Sequence, residues 1–103
     1  GSGDGGVYTT AADISSFWQA FFAGRIVSPA TAAEMVRARS EGLAGGKAYG
    51  LGFWLDPGRG LVILEGCDTG VSFRSTHDPG TGRTSTVLSN TADGAWPVAR
   101  LLA

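Results

Sequence analysis

The 103-residue chain has one cysteine, one histidine, one methionine and four prolines. The lone Cys67 excludes an internal disulfide and a cysteine-based metal cluster. With His77 as the only imidazole, a zinc site would need carboxylates at a spacing the sequence does not show, so no metal and no cofactor are expected. Charge is scarce as well: 17% of the residues are charged and the formal net charge is -1. That balance lacks the basic footprint of a nucleic-acid binder. No apolar run reaches about 18 residues, so no membrane span is predicted. Gly1-Ser2-Gly3-Asp4 has neither a basic nor an apolar export region, which leaves the compartment open.

What is abundant is apolar surface, at 43% of residues, together with 17 glycines. This composition fits a folded chain rather than a disordered one, and its length fits one small domain over residues 1–103. Arginine is preferred over the single Lys47, a usage resembling that of a high-GC bacterium.

Thr10 followed by Asp13 reads as a capped helix start. Ile14, Phe17, Trp18, Phe21 and Phe22 then recur on one stripe as far as Ala23, with Gly24 as the stop. Ser28-Pro29 opens a second helix predicted to reach about Ser40, with Ala32, Met35 and Val36 inward. The glycine-rich segment 41–47 reads as a mobile loop. Four strands should follow: Tyr49 to Leu55, Leu61 to Leu64, Val71 to Thr76 and Thr84 to Ser89. Turns at Asp56-Pro57-Gly58 and Asp78-Pro79-Gly80 make them an antiparallel meander. Asp93 is expected to cap a last helix whose Trp96, Ala99 and Leu102 share a face. The fold class is therefore α+β, a four-stranded meander with two helices before it and one after. Phe17, Trp18, Phe21, Phe53, Val62, Phe73, Leu88 and Trp96 form the expected core.

Several motifs fail on inspection. Gly1, Gly3 and Gly6 satisfy a dinucleotide-loop spacing but lack the preceding strand, and Gly45-Gly46-Lys47-Ala48 lacks both the upstream glycine and the hydroxyl of a phosphate loop. His77-Asp78 suggests a hydrolase dyad. It stands where a strand enters a turn, however, so a structural, solvated histidine is the favoured reading. Cys67 lies beside an acidic rather than a basic neighbour, and a buried or idle thiol is expected.

Gly5-Gly6-Val7-Tyr8-Thr9-Thr10-Ala11-Ala12-Asp13, Ile26-Val27-Ser28-Pro29, Tyr49-Gly50-Leu51-Gly52-Phe53-Trp54, Gly66-Cys67-Asp68-Thr69-Gly70-Val71-Ser72-Phe73 and Val87-Leu88-Ser89-Asn90, in this order, resemble the last third of serine β-lactamase-related hydrolases. That group includes class C β-lactamases, penicillin-binding-protein-like carboxypeptidases and related esterases. The resemblance implies a C-terminal segment of a β-lactamase-like fold. It also implies acyl transfer by a serine activated by a lysine three residues on, helped by a second motif and by a Lys/His-Thr/Ser-Gly triplet on an edge strand. Neither Ser-x-x-Lys nor Tyr/Ser-x-Asn occurs in this chain, so no catalytic residue is expected here and the chain alone is expected to be inactive. The triplet position falls on Leu64-Glu65-Gly66, with the amide of Cys67 where the family has its second oxyanion donor. Glu65, Gly66 and Cys67 are thus the candidate substrate-binding residues. A shifted register would place the triplet on Asp68-Thr69-Gly70. In neither register does a cation or imidazole stand first. The implied partner is the remainder of the hydrolase domain or a second copy of the chain, and the competing reading is a non-catalytic binding module or an oligomeric structural protein.

Overall fold

The computed structural model describes residues 5–102, so Gly1 and Gly3 of the dinucleotide-like spacing lie outside the described residues. Helix α1 spans Ala11–Phe22, and the Thr10 hydroxyl accepts the Asp13 amide at 3.1 Å, as the capping pattern predicts. Helix α2, Pro29–Met35, starts on a Ser28 cap. It stops well short of Ser40, because Leu51 donates its amide to the Met35 carbonyl at 2.8 Å and Ser40 bridges to Tyr49. The chain is thereby drawn out of the helix into the edge of the sheet. Segment 41–47 closes into a short 3₁₀ turn at Ala44–Gly46.

Five strands form one antiparallel sheet in sequential order: β1 Ala48–Tyr49, β2 Trp54–Asp56, β3 Leu61–Asp68, β4 Val71–Asp78 and β5 Arg83–Ser89. The expected four become five because Tyr49 to Leu55 is a hairpin rather than one strand. Gly50 donates its amide to the Phe53 carbonyl, and Gly52 adopts a φ of 84°. A Cβ at Gly50 would run into the Met35 carbonyl oxygen, so glycine is required there. Alternation of apolar residues predicted a strand and was blind to this reversal.

Side chains alternate across the sheet. On β4, Ser75 and His77 face α1, while Ser72, Arg74 and Thr76 face the other side, where α3 (Ala95–Leu102) lies. The α1 side holds the aromatic core. Trp18, Phe21, Phe53, Leu55 and Val62 are buried there, with Ile14, Phe17, Phe22 and Leu64 packed around them. Trp18 also donates its indole N–H to Ser75 Oγ at 2.7 Å, and Ser75 exchanges a second hydrogen bond with Thr86 at 2.9 Å. Those bonds give a greasy helix a directional anchor, since a buried polar atom left unpaired is costly. All buried side-chain nitrogens and oxygens among the described residues are paired.

The core expectation holds for Trp18, Phe21, Phe53 and Val62, and partly for Phe17, Phe73 and Trp96, which are half-buried. It fails at Leu88, which is 41% exposed. Phe73 and Leu88 pair with each other one row beyond Ser75 and Thr86, the row to which Trp18 is bonded. Asp93 does not cap α3 with its side chain. Ser72 Oγ on β4 accepts the Ala95 amide at 3.0 Å instead, and itself donates to the Thr91 carbonyl at 2.7 Å. This helix buries Ala95 and Ala99, while Leu102 stays 44% exposed.

Candidate functional site

Strand β3 is where local sequence and tertiary position diverge. All of it but Leu61 pairs with β4, from Val62 opposite His77 to Asp68 opposite Val71. Its other edge pairs with β2 only over Leu61 to Ile63. From Leu64 to Asp68 that edge has no strand neighbour among the described residues. Glu65, Gly66, Cys67 and Asp68 are exposed along it. β2 begins only at Trp54, opposite Ile63, because the chain reverses at residues 50–53, and that late start is what leaves the edge beyond Ile63 open.

The structure brings the three candidate residues together on this segment. The Glu65 carboxylate lies 3.6 Å from Arg74 Nη1, its cross-strand partner. Gly66, opposite Phe73, has open space where a Cβ would stand. Cys67 donates its thiol to the Ala92 carbonyl at 3.2 Å, so the thiol is engaged with the loop that leads into α3. Leu64 is half-buried and packs against the aromatic core. The two registers of the triplet differ in geometry. Leu64-Glu65-Gly66 lies on the open-edged strand, whereas Thr69 and Gly70 form the turn between β3 and β4, with Gly70 at φ 77° and Asp68 Oδ1 accepting the Thr69 amide at 2.8 Å.

Glu65 and Arg74 also line a groove of about 370 Å³ that runs under the 43–47 turn with Lys47, Trp54 and Ile63. Lys47, in the sequence a phosphate-loop candidate, is held by Asp56 at 3.2 Å. Arg74 had no motif to mark it. Only strand register places a cation beside Glu65. A second groove, about 190 Å³, lies on the outer face next to α3 and does not reach Glu65, Gly66 or Cys67. No group of three or more metal-ligating side chains occurs among the described residues.

His77 is not solvated at a strand end. It is 6% exposed, with its ring stacked on Trp18 and Phe22 at 5.3 and 4.9 Å and Nδ1 2.8 Å from Thr84 Oγ1. Burial lowers its pKa below the ordinary histidine value, and Asp78 partly opposes that. Asp78 lies on the opposite face, where its carboxylate accepts the Gly80 amide. The two therefore do not form a dyad, because one turns into the core and the other into a turn.

Comparison with solved structures places this arrangement. A penicillin binding protein from Bacillus halodurans superposes with a TM-score of 0.88 over 99% of this chain, at 26% sequence identity. The fold is penicillin-binding-protein-like. This penicillin-binding-protein-like segment spans 32% of the solved chain. No protein-family model matches its sequence, and no curated protein matches it significantly. None of its described helices is long and apolar enough to cross a membrane.

Proposed function

We propose that the chain is the C-terminal part of a serine hydrolase of the β-lactamase-related family, contributing one wall of an acyl-transfer site whose nucleophile and base lie in the remainder of the domain. The observation that carries this reading is the 0.88 superposition on a penicillin binding protein of which the chain spans 32%. In this reading, the open edge of β3 at Glu65, Gly66 and Cys67 faces the substrate, and the Cys67 amide supplies an oxyanion donor. An edge strand suits that task, because unpaired backbone N–H groups are preorganised donors for a developing oxyanion. The substrate class is an acyl compound: a β-lactam, a peptide or an ester.

The need for a covering partner is supported by apolar surface around that edge. Val7, Tyr8 and Val71 are 88%, 91% and 51% exposed. Val98 and Leu101 are also exposed on α3. Apolar patches together with a free strand edge call for cover by other protein. The remainder of the hydrolase domain supplies it in this reading, and a second copy of the chain is the alternative.

One observation favours a non-catalytic relative. Leu64 stands where the family carries a cation or an imidazole, and it is packed into the core rather than presented to the edge. The reading frame upstream of the Gly1 codon separates the two: an in-frame Ser-x-x-Lys is expected. The extended protein should form a covalent adduct with a fluorescent penicillin or a fluorophosphonate at that serine, and the 103-residue chain alone should form none. An extended protein with the motif but no adduct would leave the binding module as the better account.

A further inference from the structure

We infer that His77 is a protonation-controlled latch that fixes α1 to the sheet. The geometry is specific. The imidazole lies on β4, directly under α1, with its ring nearly parallel to Trp18 (14°) and to Phe22 (18°). The facing side chains are Trp18 and Phe22 from α1, Val62 from β3 and Thr84 from β5. None of them is titratable or charged. The one charge acting on the ring is Asp78, the next residue on its own strand, whose side chain points to the other face. A neutral imidazole satisfies this site by sharing one hydrogen bond with the Thr84 hydroxyl.

An imidazolium in the same place is shut away from water, with a single hydroxyl and no carboxylate on its own face. Aromatic faces attract a cation, and Asp78 adds to that pull, but loss of hydration is the larger effect at this depth. The sign follows from linkage. Because the folded-state pKa lies below that of free histidine, the unfolded or undocked state takes up the proton first as pH falls. Stability is therefore full above about pH 6.5, declines below it, and levels off once the folded form is protonated too.

Undocking α1 has a consequence at the opposite end of the helix. α1 is continuous with the segment 5–10, which begins beside the carboxylate of Asp68 at the end of β3. Releasing the helix frees that segment and uncovers Trp18, Phe21 and Phe53. The latch is independent of the hydrolase reading, since it concerns only α1 and the sheet.

The chain has a single histidine, so its ring C–H resonance is unambiguous by NMR. In the unmodified 103-residue chain, His77 should titrate below about 6.5, and the Trp18 indole N–H resonance should change with the same midpoint. Urea midpoints should fall between pH 7.5 and pH 5.5, and His77→Gln, neutral throughout, should flatten that dependence. A His77 midpoint at or above the free value overturns the latch, as does an undiminished pH dependence in His77→Gln. If that variant does not fold, the titration of the unmodified chain decides the sign on its own.

Discussion

The two halves of β3 are neighbours in one strand and behave as different materials. Val62 and Ile63 have β2 on one side and β4 on the other, and they are 4% and 1% exposed. Leu64 to Asp68 keep only β4, and from Glu65 onward every residue is exposed. Backbone conformation does not change between them. What changes is cover: α1 packs over Val62 and the 43–47 turn over Ile63, whereas past Leu64 the contacts thin to the rim of the 43–47 groove at Glu65 and the Ala92 carbonyl at Cys67. The lesson is that stability and candidate chemistry are allocated by neighbours, since an unpaired, uncovered edge is where a substrate or a partner can add hydrogen bonds.

The sharpest way to break this contrast is Ile63→Ala. Its side chain is buried on the face opposite α1, so truncation should cost about 2–5 kcal/mol by urea unfolding. A loss below about 1 kcal/mol would mean that the first half is not packed as described. Next comes Ser75→Ala, which strands the Trp18 indole N–H in the core. A loss of about 1–3 kcal/mol is expected, together with an upfield move of the Trp18 indole proton. An unchanged indole resonance would show that this bond does not anchor α1.

The smallest effect belongs to the open half. Glu65→Gln removes a partly exposed pair with Arg74 and should alter stability by about 0–1 kcal/mol. In an extended protein that acylates, the same change should alter the rate of penicillin labelling while leaving the urea midpoint in place. A stability loss as large as that of Ile63→Ala would make Glu65 a structural residue and remove it from the candidate site.

Much of this was legible in the sequence because it is local. The Thr10 and Ser28 caps, the aromatic stripe of α1 and the turns at Asp56 and Asp78 depend on residues within a few positions of one another. Leu64-Glu65-Gly66 was marked by family resemblance, but the strand was expected to end at Leu64, whereas pairing with β4 carries β3 on to Asp68. The hairpin inside Tyr49 to Leu55 was not legible, because its cause is a long-range contact: the Met35 carbonyl closes on Gly50 and Leu51. Arg74 beside Glu65 is a matter of β3–β4 register, and the open edge depends on where β2 begins.

His77 marks the same boundary. Beside Asp78 and a turn, its sequence neighbourhood reads as solvent. Strand alternation sends Asp78 to one face and His77 to the other, and α1 then buries the imidazole. The sequence by itself determined the three helices, the meander order and the anchors of the aromatic core, since propensity, capping and periodicity act over a few residues. Only the tertiary structure decided which half of β3 is covered, what caps α3 and whether His77 meets water, because burial and pairing depend on segments far apart in the chain.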